Sequence, residues 1–250
     1  MEVIVAVLLV ESGGKGIDKK TGKPVTRFEN HVFEDELKKL GKFDQAEFDR
    51  HFTYNSKERW TGHTFNGKSF HGNQLNENKV LEFAKTISEE AAYRSASYGL
   101  PQVMGFNYAL LGYDSAATMA AAFESSIKSQ LDGFFAFIQN SKKSCPKYGL
   151  DDEKSALHWL QQSPPDYVKF ACNYNGGGQA KIYGELIKAA ADAFKTFLKS
   201  DATANILTSG ASCTVRGKTG ICGDDALCDG QAEPGFCPGA NNIMCCLECA

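Results

Sequence analysis

The distribution of the cysteines is the feature that most constrains the fold of this chain. Seven of the nine cysteines lie after Ser212, in a segment that is rich in glycine and poor in long apolar side chains. Such a segment cannot fold on a hydrophobic core alone and needs covalent cross-links. Six of these cysteines predict a framework of three disulfides: Cys213, Cys222, Cys228, Cys237, Cys245 and Cys246. Cys249 is then left without a partner in this prediction. Zinc is the weaker interpretation, because only Cys246 and Cys249 have C-x-x-C spacing and the tail lacks histidine.

The same distribution predicts the domain organisation. We expect one main domain over residues 1–200, a small and polar linker over 201–212, and a cysteine-rich disulfide module over 213–250. Cys145 and Cys172 remain for the main domain, where they can pair with each other. Because disulfides persist in oxidising compartments, the sequence predicts a secreted, extracellular protein.

Composition and charge exclude two classes of function. The chain has 250 residues, 42% of them hydrophobic, and a formal net charge of −3, so no basic surface is expected to bind nucleic acid. The longest apolar run, Val3 to Val10, is shorter than the ~20 residues that span a bilayer. This run has the size of a signal-peptide core, but Glu2 stands in place of a positive region and no cleavage site follows. We therefore expect a buried helix, a trimmed natural start and no membrane anchor. The protein is also expected to be a monomer.

Hydrophobic spacing predicts a mainly α-helical main domain with at most one small β element. A turn-rich hairpin is expected between the first helix and Pro24, and a polar loop over residues 54–75. Besides the first helix, the predicted helices are 33–40, 43–52, 76–93, 115–140, 151–161, a short one after Pro164-Pro165, and 179–199.

Most signatures of catalysis are absent, which directs attention to one carboxylate. The sequence has no dinucleotide-binding, phosphate-binding, zinc-protease or serine-hydrolase motif, and its five histidines lack metal-ligand spacing. No cofactor and no metal are therefore expected. Glu11 remains, because it follows eight apolar residues at the predicted end of a helix and directly precedes Ser12-Gly13-Gly14.

The position of Glu11 favours an acid catalyst. A carboxyl group beside an apolar helix and a close glycine turn loses hydration, and the helix C-terminus disfavours its charge, so its pKa rises. Glycoside hydrolysis needs a protonated carboxyl group to donate to the leaving sugar oxygen. The alternative is an ordinary solvated residue at a helix end, and these properties alone leave both interpretations open.

Four blocks of sequence add a family resemblance. They are residues 10–14 (VESGG), 27–33 (RFENHVF), 95–108 (SASYGLPQVMGFNY) and 173–176 (NYNG). In this order they resemble the N-acetylmuramidase family of phage endolysins and related secreted proteins, and the likeness spans residues 3 to about 199. The first and last blocks are also similar to elements of goose-type lysozymes and lytic transglycosylases. The tail resembles small cysteine-rich modules appended to secreted eukaryotic hydrolases.

The resemblance implies a lysozyme-like α+β fold with a small β-hairpin and a cleft that binds peptidoglycan glycan strands. Glu11 would be the catalytic acid that cuts the β-1,4 bond between N-acetylmuramic acid and N-acetylglucosamine. Gln102 and Asn107 would hydrogen-bond the sugars, and Tyr98 would stack on them. The residues that would face Glu11 across the cleft are Asn173, Tyr174 and Asn175.

The second carboxylate is predicted to be Glu29, which either activates water or acts as nucleophile. The alternative is that Glu29 only pairs with Arg27 or His31 and holds the hairpin, and His31 itself is expected to be structural. Two other functions stay open. A lytic transglycosylase would need Glu11 alone, and a non-catalytic wall-binding defence protein would need neither carboxylate.

Overall fold

The computed structural model describes residues 2–150, 153–198, 212–215, 218–224, 231–233 and 243–247. By its internal contacts the chain divides into two compact units. The first spans Val3–Ala190, and the second takes in the residues from Ala191 onward. The described residues are mainly helical with small antiparallel sheets, which confirms the predicted fold class. Among them no helix has the length and apolar character needed to cross a membrane.

The helices follow the hydrophobic pattern of the sequence closely. Numbered along the chain, they are α1 Glu2–Ser12, α2 Asn30–Lys39, α3 Gln45–His51, α4 Gln74–Ile87, α5 Glu89–Arg94, α6 Ala116–Ser125, α7 Ile127–Asn140, α8 Ala156–Leu160, α9 Tyr167–Asn175 and α10 Ala180–Leu198. Two 3₁₀ helices, Gly105–Leu111 and Pro146–Tyr148, lie between them.

Two of the three longest predicted helices are each divided by a serine. The predicted helix 76–93 ends at Ile87, and the Ser88 side chain accepts a hydrogen bond from the Ala91 N–H at 3.4 Å to begin α5. The predicted helix 115–140 is divided in the same way by Ser126, whose hydroxyl accepts from the Ser129 N–H at 3.0 Å. A serine hydroxyl satisfies the free N–H groups at a helix start, so a new helix begins although the apolar stripe continues.

The prediction of at most one small β element is wrong, because the first unit contains two three-stranded sheets. The strands are β1 Thr26–Phe28, β2 Phe52–Thr53, β3 Thr64–Phe65, β4 Lys68–Ser69, β5 Ala96–Tyr98 and β6 Val103–Met104. The β2-β3-β4 sheet occupies the region predicted to be a loop. Its last hairpin turns at Asn66-Gly67, both with positive φ, which is the dipeptide that two-residue hairpins favour.

The β1-β5-β6 sheet joins two of the blocks singled out in the sequence. Thr26 pairs with Tyr98 and Phe28 with Ala96, while Ser97 pairs with Met104. The predicted hairpin before β1 is present as a turn closed by a bridge between Ile17 and Pro24. Glu29 follows β1 directly, and its N–H donates to the Ser95 carbonyl at 2.9 Å.

The described part of the second unit includes a four-stranded antiparallel sheet in the order β7-β8-β10-β9. Its strands are β7 Ser212–Val215, β8 Lys218–Asp224, β9 Gln231–Glu233 and β10 Ile243–Leu247. Cys213 and Cys245 form a disulfide, and Cys246 is disulfide-bonded as well. Cys228, Cys237, Cys249 and linker residues 201–211 lie outside the described residues, so the full pairing and the linker stay predictions. In the first unit Cys145 and Cys172 are bonded, as predicted.

Candidate active site

Glu11 lies in the last turn of α1, where two glycines end the helix. Gly13 and Gly14 both have positive φ, a conformation that favours glycine. Their N–H groups donate back to the carbonyls of Leu9 and Leu8, at 2.9 and 3.3 Å. This turn carries the chain away from the helix immediately after the carboxylate, which is partly exposed.

The environment of the Glu11 carboxylate favours the protonated form. Burial raises its pKa from 4.5 to about 7, and a hydrogen bond from Asn175 opposes this rise. Asn175 Nδ2 donates to Glu11 Oε1 at 2.8 Å. No salt bridge to Glu11 is found among the described residues. Glu11 therefore holds a proton near neutral pH and faces open space on one side, as a proton donor requires.

The three residues predicted to face Glu11 differ in their surroundings. Asn175 does so, through the hydrogen bond above. Tyr174 is buried, donates its hydroxyl to the Pro101 carbonyl at 2.5 Å, and lies within the electrostatic influence of Glu11. Asn173 does not face the carboxylate: its side chain is fully buried and its Nδ2 donates to the Lys154 carbonyl at 3.1 Å. The prediction for Asn173 is wrong because α9 turns this residue into the core.

Glu29 has a different and more crowded environment. Its Oε1 accepts from Arg27 Nε at 2.7 Å. Its Oε2 lies 3.6 Å from His31 Nδ1 and 3.4 Å from His63 Nδ1. The expected pairing with Arg27 and His31 is therefore present. The presence of His63 was not predicted, because residue 63 lies in the segment interpreted as a loop.

The histidines predicted to be scattered converge in this part of the fold. The rings of His31 and His63 lie 5.4 Å apart, and those of His63 and His71 lie 4.8 Å apart. Burial lowers the pKa of His31 and of His63, so both rings are neutral at neutral pH. His71 pairs through Nδ1 with Glu77 Oε1 at 2.9 Å. The spacing in sequence gave no sign of this cluster, since the β2-β3-β4 sheet brings the residues together.

Tyr183 in α10 connects the two carboxylates electrostatically. Burial raises the pKa of its hydroxyl, the charges of Glu11 and Glu29 raise it further, and Arg27 lowers it. All three charged groups therefore lie within electrostatic reach of one partly exposed phenol. Tyr183 was not among the predicted site residues. Its sequence position in α10 lies outside the four blocks that suggested a site.

Two residues predicted to bind sugar, Tyr98 and Gln102, make hydrogen bonds within the fold. Tyr98 is only 3% exposed, and its hydroxyl donates to the Tyr93 carbonyl at 3.0 Å, so it offers no surface for stacking. Gln102 donates to the carbonyls of Val25 and Gly99, at 3.0 and 2.9 Å, and accepts from Ser97 Oγ at 2.9 Å. The stacking prediction for Tyr98 is therefore wrong, whereas Gln102 is half-buried and its predicted contact with sugar stays a prediction.

Asn107 and Gln130 are two further buried polar residues of this region. Asn107 lies in the 3₁₀ helix and is 9% exposed, so its predicted contact with sugar stays a prediction. Gln130 is fully buried and was not singled out in the sequence. It donates to the Gly16 carbonyl at 3.3 Å and accepts from the Leu100 N–H at 2.8 Å. Gln130 thus joins the turn after Glu11 to the turn between β5 and β6.

Comparison with known proteins matches these features to one family. A family model described as Muramidase, N-acetylmuramidase, matches residues 1–195. Four chains of known structure match, among them one titled crystal structure of Burkholderia AP3 phage endolysin. It is 25% identical with a TM-score of 0.57, and the match covers 78% of this chain. This chain spans only 65% of the length of that endolysin, whose fold it shares. No curated protein matches the chain.

Proposed function

Because this chain belongs to the N-acetylmuramidase family, whose model covers residues 1–195, we propose that it is a glycoside hydrolase that cleaves peptidoglycan. The bond cut in this proposal is the β-1,4 linkage between N-acetylmuramic acid and N-acetylglucosamine. The observation that carries it is the carboxylate of Glu11, whose pKa burial raises to about 7 at the end of α1. A group with that pKa still donates a proton at neutral pH.

In the proposed mechanism Glu11 acts as the general acid. As the glycosidic bond breaks, the sugar oxygen that leaves takes the proton from the Glu11 carboxyl group, which becomes a carboxylate. The amide of Asn175 donates to Oε1 at 2.8 Å, so it holds the carboxyl group in place and stabilises the charge left behind. Substrate contacts are proposed for Asn107 and Asn175, and for the phenol of Tyr183.

Glu29 is proposed as the second carboxylate, which would activate the attacking water. Arg27 holds one of its oxygens at 2.7 Å, and the side chain of Glu29 is 13% exposed. Tyr183 responds to the charges of both Glu11 and Glu29, which supports their lying on one cleft. This arrangement provides the acid and the base that direct hydrolysis requires.

One observation favours a second candidate, a lytic transglycosylase that uses Glu11 alone. Glu29 is closely surrounded by Arg27, His31 and His63, so it already has partners within the fold. A transglycosylase closes the sugar on itself and leaves an anhydro-muramic end, whereas a hydrolase leaves a reducing end. Mass spectrometry of the released fragments separates the two reactions.

Several expectations from the sequence are carried forward with this proposal. The protein would act outside the cell as a monomer on bacterial peptidoglycan, and the proposed acid catalysis itself needs no cofactor. The disulfides Cys145–Cys172 and Cys213–Cys245 support an oxidising location. The cysteine-rich module would stabilise the secreted protein or contact the wall.

The test compares wild type with Glu11→Gln, which keeps the shape of the side chain and removes the donated proton. We expect release of reducing ends from purified peptidoglycan to fall about a hundredfold or more, the usual effect of losing a general acid. The matched control is Glu124→Gln, because Glu124 is exposed on α6. Equal activity of wild type and Glu11→Gln, or binding to insoluble wall without release of fragments by either, would exclude the proposal.

A further inference from the structure

We propose that Glu29, His31 and His63 form a binding site for a zinc ion. One ligand atom from each residue lies within 4.8 Å of the ligand atoms of the other two. Two imidazoles and one carboxylate are a ligand set that zinc accepts, usually with water in the fourth position. With zinc bound, Glu29 Oε2 is a metal ligand and not the free base of the proposed catalysis, so the two roles are alternatives that zinc binding and activity in chelator distinguish.

Two of the three distances between the ligand atoms fit tetrahedral coordination. Zinc lies ~2.0–2.2 Å from nitrogen and oxygen ligands, so two ligands of a tetrahedral ion are about 3.4 Å apart. Glu29 Oε2 is 3.4 Å from His63 Nδ1 and 3.6 Å from His31 Nδ1. Two of the three pairs therefore match tetrahedral spacing, and the third pair, between the two imidazoles, lies within 4.8 Å.

The ligand atoms have few competing hydrogen bonds. Glu29 Oε2 and His31 Nδ1 are buried, and neither has a hydrogen-bond partner among the described residues. His63 Nδ1 accepts a single long hydrogen bond, from the Asn30 N–H at 3.4 Å. Buried polar atoms nearly always have a hydrogen-bond partner. Two such atoms without one, beside a third with a long hydrogen bond, need an explanation. A cation bound by all three atoms supplies it.

Outer contacts orient the same three residues. His63 Nε2 contacts the Arg59 carbonyl at 2.8 Å, where it must donate its proton, and this leaves Nδ1 unprotonated, as a metal ligand must be. Arg27 holds the other oxygen of Glu29 at 2.7 Å. Arg59 also donates to the His31 carbonyl at 3.2 Å, so one residue links the backbone of His31 to the ring of His63. Such outer contacts are usual around metal-binding histidines.

The burial of the cluster indicates an ion that is partly open to solvent. The side chain of His63 is 0% exposed, whereas those of Glu29 and His31 are 13% and 20% exposed. The open side leaves room for the water that completes a three-ligand zinc site. Two imidazole ligands favour zinc over magnesium or calcium, which prefer oxygen. The ion would join the start of α2 to the segment that leads into β3.

The experiment is a calorimetric titration of the chelator-stripped, full-length, oxidised protein with zinc chloride, after any free thiol has been alkylated. We expect one zinc ion per chain with a micromolar or tighter Kd, and no response to magnesium chloride. Loss of even an outer contact lowers metal affinity by about 10- to 100-fold, so His31→Ala and Glu29→Gln should each weaken zinc binding at least that much. Zinc should also raise the Tm of wild type, because it binds the folded state.

The matched control is His158→Ala, since His158 is a partly exposed histidine on α8 beside Gln162. This variant should bind zinc as wild type does. Equal Tm values of all proteins in chelator would show that the variants fold, and the two different ligand variants guard against one failing to do so. Absence of zinc binding by wild type, or binding that neither His31→Ala nor Glu29→Gln weakens, would overturn the proposal.

Discussion

The end of α1 and the start of α2 each present a glutamate, but the two surroundings are opposite in character. Glu11 has one neutral partner, the amide of Asn175, and burial raises its pKa to about 7. Glu29 has a guanidinium at 2.7 Å and two imidazole nitrogens at 3.4 and 3.6 Å. A carboxyl group without a cationic partner suits the donation of a proton, while one among a cation and imidazoles suits a base or a ligand.

The backbone explains why the two glutamates differ. Glu11 lies on a helix that is apolar from Val3 to Val10, so this helix supplies few polar groups around it. Glu29 lies between a strand and a helix, where the neighbouring turns and the β2-β3-β4 sheet bring polar side chains together. The contrast teaches that position in the fold, rather than residue type, sets the role that each carboxyl group can take.

The sharpest way to break this comparison is Glu29→Gln. If Glu29 activates water, we expect kcat on peptidoglycan to fall by about a hundredfold or more, because a lost general base has an effect of that size. The measurement is the initial rate of reducing-end release, with and without chelator, so that any bound metal is separated from the carboxylate itself.

Glu47→Gln provides the control for this variant. Glu47 also pairs with an arginine and a histidine, Arg50 at 2.6 Å and His51 at 3.5 Å, but on a surface helix. Its replacement should leave the rate unchanged. Full activity of Glu29→Gln would show that one carboxylate suffices, and the anhydro-muramic product of the transglycosylase would then be expected.

A second prediction concerns stability and follows from the raised pKa of Glu11. Between pH 4.5 and about 7 the folded protein holds a proton on Glu11 that the unfolded chain releases, so the free energy of unfolding falls as pH rises. At ~1.4 kcal/mol per pKa unit, and with a discount for partial exposure, the loss is ~1–2 kcal/mol above pH 7. Glu11→Gln should therefore be more stable than wild type by this amount above pH 7.

Urea unfolding at pH 4 and pH 8 measures this difference. Below pH 4.5 both states carry the proton, so the gain of Glu11→Gln should vanish there. Glu124→Gln should show no such pH-dependent gain. A variant with Gln at position 11 that is less stable than wild type at pH 8 would contradict the account of a carboxylate destabilised by burial.

Local features of the sequence were enough to predict that Glu11 lies at the end of an apolar helix, and to predict most of the helices. The helix, the carboxylate and the glycines that end the helix are adjacent, so their meaning does not depend on distant parts of the chain. The Asn66-Gly67 turn was equally local, and it was overlooked because only two residues on each side pair.

The surroundings of Glu29 depend on contacts far apart in sequence, which single-sequence reasoning does not reach. His63 arrives beside Glu29 because Asn30 donates to the carbonyls of Thr53 and Thr64, both at 2.8 Å, and so fixes the β2-β3 pair against α2. Tyr98 shows the same limit, since its motif suggested a cleft whereas its pairing with Thr26 placed it in the core. A motif indicates which chemistry a segment can carry, but packing decides which of its side chains face solvent.

The smallest expected effect sharpens the description of Glu11 itself. The hydrogen bond from Asn175 lowers the pKa of Glu11 against the effect of burial, so Asn175→Ala should raise that pKa above about 7. Because the acid must be protonated to act, activity is lost as pH rises through this pKa, and the alkaline limb of the kcat profile should move up by a fraction of a pH unit. Asn140→Ala removes an amide that donates to a backbone carbonyl, that of Leu110, and should leave the limb in place. A limb that moves to lower pH in Asn175→Ala would mean that water entering the site stabilises the carboxylate more than the amide did.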